Sequence, residues 1–163
     1  MKTLYIARHA KSSWDDPSLS DHARPLNRRG ERDAPRMGSR LAAEGNAPEQ
    51  IVSSTAVRAI STARLLAVEL GMDPDSVVQD PALYGASASM LLEVARGLPD
   101  ELRSGMIVAH DPGLTELAGA LSGYAITHMP TCGVVTVEFD VATWDGVHVE
   151  AGRVLDFDYP KKG

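Results

Sequence analysis

The sequence contains very little cysteine and few aromatic residues: one cysteine among 163 residues, Cys132, and aromatic side chains at only 5%. A single thiol cannot form an internal disulfide or a thiolate metal cluster, so we expect a reducing compartment and a small, partly buried Cys132. No apolar run approaches the roughly 20 residues that a membrane-crossing helix needs. The apolar stretch after Lys2 is too short for a signal peptide, so we expect a cytoplasmic protein with no membrane partner.

Basic residues are outnumbered, with 16 lysines and arginines against 22 acidic residues and a formal net charge of -6. Nucleic-acid-binding proteins present a basic face that neutralises phosphates, so this balance argues against a nucleic-acid partner. A small basic pocket within an acidic surface remains compatible with it. The length and a hydrophobic content of 44% predict one domain, residues 1–163, with a single core.

Short apolar runs alternate with amphipathic stretches along the chain, and turn-forming residues separate them. Strands are predicted at 3–8, 50–53, 76–79, 104–109, 133–140 and 153–159. Helices are predicted from Asn27 to 44, from Ser54 or Thr55 to 70, from Ser87 or Ser89 to 96, and from Pro112 to 122. This order implies an α/β three-layer sandwich with a mixed, mostly parallel central sheet flanked by helices.

Several local details carry alternatives or specific expectations. Pro35 should either kink the first helix or mark its true start. The second helix is expected to bury Val57, Ile60, Ala67, Leu70 and the stem of Arg64. The last strand is expected to place Leu155, Phe157 and Tyr159 on one face, after a turn at 144–146 that closes an antiparallel hairpin. A polar loop at 11–25 has a length that is often functional in compact domains.

Three of the apolar runs end on basic residues. Arg8 and His9 follow the first run, Arg58 lies just beyond the second, and His110 follows the run at 104–109. Ligands of open α/β sheets bind beyond the carboxyl ends of the strands. These side chains are therefore expected to gather in one anion-binding pocket.

The residue types in this pocket suit phosphoryl transfer. Arginine forks match the equatorial oxygens of a transferring phosphoryl group, and Arg58 would also lie in the first turn of a helix, where an anion is favoured. Neighbouring arginines should lower the pKa of His9 and keep it unprotonated for attack, while its second ring nitrogen donates to a backbone carbonyl. His110 is suited to donate a hydrogen bond to a phosphoryl oxygen.

The same histidines could in principle hold zinc together with nearby aspartates. The two arginines in the pocket would repel such a cation. We therefore expect neither a metal nor another cofactor.

Four sequence motifs resemble those of the histidine phosphatase superfamily, which has the phosphoglycerate mutase-like fold. Residues 8–10 resemble its Arg-His-Gly signature, and residues 24–30 resemble the step between its first strand and helix. Residues 53–63 are similar to its second motif, and residues 109–114 to its late histidine motif. The motifs occur in the family's order and extend over essentially the whole chain.

In its small size the chain resembles the SixA-like branch, whose members are phosphohistidine phosphatases that act on signalling proteins. The resemblance implies a transiently phosphorylated His9, phosphate binding by Arg8, Arg58 and His110, and no metal. It also implies a further contact from Arg24. The implied substrate partner is a phosphorylated protein, such as a His-containing phosphotransfer domain.

The chain departs from the family pattern in two places. Ala10 replaces the commoner glycine after the first histidine, and residues 80–87 lack the glutamate that protonates the leaving oxygen in mutase-like members. An alkoxide leaving group needs that proton, whereas imidazole, with a conjugate-acid pKa of about 6.5, leaves more easily. The missing acid favours a phosphohistidine substrate, although Asp15, Asp16 or Asp111 could supply a proton instead.

Two other functions are compatible with the same scaffold. One is a broad-specificity phosphatase of small phosphate esters. The other is a non-catalytic phosphate-binding regulatory module, which an intact His9 argues against. The acidic loop and the absence of the insertion found in larger members favour an open site, which suits a phosphorylated protein better than a small ester.

Overall fold

The computed structural model describes residues 1–45 and 47–163 and is organised around a six-stranded mixed sheet. The strand order is β3-β2-β4-β1-β5-β6, with β1, β2, β3 and β4 parallel to one another and β5 and β6 joining antiparallel. The mixed, mostly parallel sheet is therefore confirmed. The strands are β1 Lys2–Arg8, β2 Ile51–Ser53, β3 Val78–Gln79, β4 Ser104–Ala109, β5 Val134–Phe139 and β6 Gly152–Asp158.

Helices cover both faces of the sheet, which confirms the three-layer architecture. They are α1 Arg28–Ala43, α2 Val57–Glu69, α3 Ala88–Arg96 and α4 Gly113–Ser122. Single turns of 3-10 helix occur at Pro74–Ser76, Pro81–Leu83, Trp144–Gly146 and Pro160–Lys162. Within the described part of the chain, no helix has the length and apolar content that crossing a bilayer requires.

The alternation of side chains along β1 divides the hydrophobic core into two halves. Leu4 and Ile6 pack with residues of α3 and α4 on one face, while Tyr5 and Ala7 pack with residues of α1 and α2 on the other. Successive side chains of a strand point to opposite faces, so a buried central strand must be apolar at every position. This explains why the parallel strands appear in the sequence as continuous apolar runs.

The start of α1 is fixed by a side-chain cap. The Oδ1 atom of Asn27 accepts a hydrogen bond of 2.9 Å from the Gly30 N–H, as expected of a capping asparagine. The helix begins at Arg28 and runs through Pro35, so the alternative in which Pro35 marks its true start is wrong. Gly30 is required here because a Cβ atom would collide with the Lys11 carbonyl oxygen.

The start of α2 differs from the prediction. Its N-cap is Ala56, which has no side-chain capping bond, so neither Ser54 nor Thr55 caps the helix. Both hydroxyls are engaged elsewhere: Ser54 Oγ lies 2.8 Å from His110 Nε2, and Thr55 Oγ1 lies 2.8 Å from His22 Nε2.

The buried face of α2 is also different. The expected positions Ile60 and Ala67 are buried, but Arg64 is exposed and Val57 and Leu70 are only half-buried. The helix packs against both α1 and the sheet, so its buried face is wider than a single stripe. It comprises Arg58, Ala59, Ile60, Thr62, Ala63, Leu66 and Ala67.

The last hairpin departs from simple alternation. A register shift in the β5–β6 pairing places Phe157 opposite Val135 but Val154 opposite Val137. Leu155 is the extra residue of this bulge and is 46% exposed, so the predicted face of Leu155, Phe157 and Tyr159 is wrong. The predicted turn at 144–146 is confirmed as a single turn of 3-10 helix within the connection between β5 and β6, and Trp144 in it is fully buried.

The register of the parallel strands brings their carboxyl ends to one level. Arg8 of β1 pairs with Ala109 of β4, and Ser53 of β2 pairs with Val108 of β4. His9, Ser54 and His110, the residues that follow these strands, therefore lie at the same edge of the sheet. The loop between β1 and α1 contains only one isolated bridge, Ser12 with Leu26.

Candidate active site

His9 lies immediately beyond β1 and is only 7% exposed. Its Nδ1 atom donates a hydrogen bond of 2.7 Å to the Ala10 carbonyl oxygen. Because a carbonyl can only accept, this bond places the ring proton on Nδ1 and leaves the lone pair on Nε2. The backbone is fixed around the ring, since the Ala10 N–H donates to Thr62 Oγ1 at 2.9 Å and the Cys132 N–H to the His9 carbonyl at 3.0 Å.

His110 faces His9 from the end of β4. The two ring centroids are 5.1 Å apart, with the ring planes inclined by 52°. Ser54 Oγ, which accepts from the Ala56 N–H, lies 2.8 Å from His110 Nε2. The Ser54 hydroxyl can donate to this nitrogen, an arrangement in which Nδ1 carries the ring proton. His110 Nδ1 is buried, with no hydrogen-bond partner among the described residues.

Arg8 lies at the end of β1 with one half of its guanidinium group fixed. Nη1 donates to the Met129 carbonyl at 2.8 Å and lies 3.9 Å from Asp111 Oδ2. Its Nε atom is buried and, like His110 Nδ1, has no partner within residues 1–45 and 47–163. A buried donor without an acceptor costs roughly 1–3 kcal/mol, so Arg8 Nε is expected to bind an acceptor from solvent or from a ligand.

Arg58 and Arg24 meet at a shared carboxylate. Arg58 Nη2 lies 3.0 Å from Asp21 Oδ2, and Arg24 Nη1 lies 3.0 Å from Asp21 Oδ1. Both arginines are 7% exposed although they belong to different elements, α2 and the loop before α1. Arg24 also donates to the Ser13 carbonyl and to Ser12 Oγ, and its guanidinium lies 3.3 Å from the centroid of the exposed Trp14 ring.

The structure thus places the predicted residues around one pocket: Arg8, His9 and His110 at the sheet edge, with Arg58 and Arg24 joined through Asp21. Asp111 lies beside Arg8, with both carboxylate oxygens accepting from Thr115. Asp15 and Asp16 are exposed on the loop.

Sequence reasoning missed Asp21 and Tyr84. The Tyr84 hydroxyl donates to Asp21 Oδ2 at 2.7 Å, and its ring lies edge-on to His110 with centroids 5.5 Å apart. Tyr84 occurs within residues 80–87, the segment that lacks the glutamate of mutase-like members. Asp21 stands three residues before Arg24, a spacing that alone did not distinguish it from any other acidic loop residue.

The electrostatics of the pocket favour neutral histidines. Burial lowers the pKa of His9 to about 3, assisted by the charges of His110, Arg58 and Arg8 and opposed by the Ala10 carbonyl. Burial likewise lowers the pKa of His110 to about 4, with Arg58 the next largest cause. Both rings are therefore unprotonated at neutral pH, as nucleophilic attack by His9 requires.

The expected absence of a metal site stays a prediction. Within the described ranges, the side chains close enough to share an ion are Glu44, Asp156 and Asp158, a group that includes neither pocket histidine. Cys132 is 1% exposed, and burial raises the pKa of its thiol to about 12, so it is not a reactive thiolate.

We expect the free energy of unfolding to fall as the pH is lowered from 6.5 towards 4. The folded-state pKa of His9 is depressed to about 3, so the unfolded chain binds a proton that the folded chain does not. The stabilising effect is complete above the unfolded pKa and is lost as the pH falls, with a slope of up to about 1.4 kcal/mol per pH unit per histidine. Urea unfolding at several pH values measures how steeply the free energy of unfolding depends on pH. This dependence should be weaker by about this amount in His9→Asn, and an equal dependence in both proteins would contradict a buried neutral His9.

Comparison with known proteins places this fold and pocket in a family. The sequence model of the histidine phosphatase superfamily (branch 1) matches residues 4–89. An uncharacterised chloroplastic protein of Arabidopsis thaliana is 31% identical over 159 residues, 93% of this chain and 72% of the relative.

Solved structures agree with the sequence matches. A candidate phosphohistidine phosphatase SixA from Agrobacterium tumefaciens has a TM-score of 0.80 and 25% identity, covering 98% of both chains. A protein histidine phosphatase SixA complexed with tungstate has a TM-score of 0.82 and 22% identity, covering 97% of both chains. The fold is that of the phosphoglycerate mutase-like phosphatases. The chain belongs to the histidine phosphatase superfamily, with SixA proteins among its structural neighbours, and it is a phosphatase.

Proposed function

We propose that this phosphatase removes the phosphoryl group from a phosphohistidine of a protein, through a covalent intermediate on His9. The observation that carries the proposal is a pair of buried nitrogen atoms without a partner in residues 1–45 and 47–163, Arg8 Nε and His110 Nδ1, beside the neutral ring of His9. Arg8 Nε is a donor, and His110 Nδ1 is a donor in the tautomer in which Ser54 donates to Nε2. Two such donors next to an unprotonated nucleophile suit a dianionic group that supplies several acceptor oxygens.

The reaction proceeds in two displacements. In the first, the lone pair of His9 Nε2 attacks phosphorus, the P–N bond of the substrate breaks, and the substrate imidazole nitrogen takes up a proton from solvent. In the second, a water oxygen attacks the phosphoryl group on His9, and the new P–N bond breaks and returns its electron pair to Nε2. The product hydrogen phosphate keeps one proton of that water, and the other proton goes to solvent. Arg8, Arg58, Arg24 and His110 hold the phosphoryl oxygens in both steps.

The chemistry around the pocket favours a leaving group that needs little acid catalysis. The hydrogen bond from Tyr84, followed by those from Arg58 and Arg24, lowers the pKa of Asp21, so this carboxylate is ionised. The bond to Asp21 raises the pKa of Tyr84, which makes its hydroxyl a weak acid. Neither group is a ready proton donor to an alkoxide, whereas an imidazole leaving group is a much weaker base.

The loop beside the pocket is open to a large partner. Trp14 is 73% exposed on top of Arg24, and Asp15 and Asp16 beside it are exposed. An exposed aromatic ring at the rim offers a contact surface to a protein such as a His-containing phosphotransfer domain. The resemblance to SixA structures supports the same substrate class, and tungstate, bound in one of them, is a tetrahedral oxyanion like phosphate.

The proposal is tested by a substrate panel. Phosphohistidine in an intact phosphotransfer domain and a set of small phosphate esters are compared by kcat/KM, each with and without a chelator. We expect phosphohistidine to be preferred by about 100-fold or more, since a missing general acid costs alkoxide departure about 10²-fold, and we expect chelation to have no effect. A preference for an ester would overturn the substrate assignment, and loss of activity with the chelator would overturn metal independence.

A further inference from the structure

The carboxylate of Asp21 is the point at which three side chains of the pocket meet. Its Oδ1 accepts from Arg24 Nη1 at 3.0 Å, and its Oδ2 accepts from Arg58 Nη2 at 3.0 Å and from the Tyr84 hydroxyl at 2.7 Å. The carbonyl oxygen of Asp21 accepts from the other terminal nitrogen of Arg58 at 2.6 Å. One loop residue therefore fixes both ends of the Arg58 fork and one end of the Arg24 fork.

We propose that Asp21 is a positioning residue of the phosphate pocket, aligning Arg24 and Arg58, and that Tyr84 in turn holds Asp21 in place. The proposal rests on the phosphatase site described above. Two guanidinium groups that contact the same carboxylate repel each other less and keep a fixed relative orientation. Phosphoryl transfer depends on such orientation, because small displacements of charge-stabilising groups cost much of their effect.

The contacts with Asp21 leave both arginines able to bind a phosphoryl group. A guanidinium group has five N–H donors. Arg58 gives Asp21 one from each terminal nitrogen, so three remain. Arg24 gives one each to Asp21, Ser13 and Ser12, so two remain. Asp21 therefore engages part of each guanidinium group and leaves the remaining donors available for a phosphoryl group.

Tyr84 connects Asp21 to the histidine side of the pocket. Its ring lies edge-on to His22 at 4.8 Å and to His110 at 5.5 Å between centroids. His22 is in turn hydrogen-bonded to Thr55 in the connection before α2. The hydroxyl of Tyr84 is engaged as a donor to Asp21, so this residue acts through the carboxylate and not as the proton donor that mutase-like members carry in the same segment.

The test compares charge with shape at Asp21. Asp21→Asn keeps the shape and removes the charge, Asp21→Glu keeps the charge and changes the length, and Tyr84→Phe removes only the hydroxyl. Asp75→Asn and Tyr124→Phe make the same chemical changes at exposed positions outside the pocket. For each variant kcat and KM are measured, with kcat divided by the concentration of enzyme that can be phosphorylated. Binding of inorganic phosphate is measured by calorimetry.

We expect Asp21→Asn to lower kcat/KM by about tenfold or more, the effect of a lost hydrogen bond to a charged group, and to weaken phosphate binding. Asp21→Glu should retain more activity than Asp21→Asn. When Tyr84→Phe is added to Asp21→Asn, kcat/KM should fall by less than about a further twofold, because the effects of groups that act as one unit are not additive. The two control variants should match the unaltered protein.

Three results would overturn the proposal. Tighter phosphate binding by Asp21→Asn would make Asp21 a competitor of the substrate. Higher activity of Asp21→Asn than of Asp21→Glu would show that the shape of Asp21 matters and its charge does not. Additive losses of activity in the double variant would show that Tyr84 does not act through Asp21. The phosphate-binding measurement needs no phosphohistidine substrate, so a failure here is distinguishable from a failure of the substrate assignment.

Discussion

Replacing His9 by alanine is expected to lower turnover by about 10⁴-fold or more, the scale of losing a covalent nucleophile. No other side chain in the pocket offers a lone pair in the same position, since the Nε2 atom of His110 is engaged with Ser54. The arginines that we propose to bind phosphate remain, so the variant should still bind inorganic phosphate. Phosphate affinity by calorimetry and turnover under saturating substrate measure the two effects separately.

The matched control for this variant is His148→Ala. His148 makes the same local contact as His9, with Nδ1 2.7 Å from a backbone carbonyl, that of Gly146, but it is exposed and outside the pocket. Its replacement should leave the rate unchanged. Substantial turnover by His9→Ala would remove His9 from the nucleophilic role, and trapping of a ³²P-labelled enzyme in the unaltered protein but not in the variant would support it. His9→Asn, which keeps a polar side chain at the buried site, separates loss of chemistry from loss of folding.

The fold could be predicted because its signals are local. The strand at Ser104–Ala109 was predicted with its observed bounds, since a fully buried parallel strand is a continuous apolar run bounded by polar residues. Asn27 and Gly123 marked helix ends through capping and a left-handed backbone, which only a few residue types supply. The edge of the sheet where polar residues gather followed from their positions at the carboxyl ends of the predicted strands.

The parts that could not be predicted depend on contacts between distant segments. Ser54 or Thr55 was expected to cap α2, but the Ser54 hydroxyl is hydrogen-bonded to His110, which is 56 residues away in the sequence. The bulge that exposes Leu155 arises from the pairing of two strands and leaves no local pattern. Asp21 and Tyr84 are 63 residues apart, and neither stands out until the fold brings the Tyr84 hydroxyl to the Asp21 carboxylate. Long-range polar contacts, which a functional pocket needs, are therefore the features least visible in the sequence.

The second large effect is expected at Arg58, whose loss should lower kcat/KM by about 10²–10³-fold. Arg58 lies in the first turn of α2, where the helix N-terminus adds to the attraction for an anion, and the residue is buried. A charge-stabilising donor in a water-excluded site acts most strongly where charge develops in the transition state. Because Arg58 also lowers the pKa of both pocket histidines, its removal makes them easier to protonate.

Two variants distinguish charge from geometry at this position. Arg58→Ala removes both, while Arg58→Lys keeps a positive charge but loses the planar fork that contacts Asp21 at two points. If bidentate positioning matters, Arg58→Lys should recover only a minor part of the lost rate. Arg64→Ala, an exposed arginine of the same helix, is the control and should retain full activity. A near-normal rate for Arg58→Ala would show that Arg58 does not bind the phosphoryl group. Full activity of Arg58→Lys would show that the positive charge alone suffices, and Asp21 would then have no part in orienting Arg58 for catalysis.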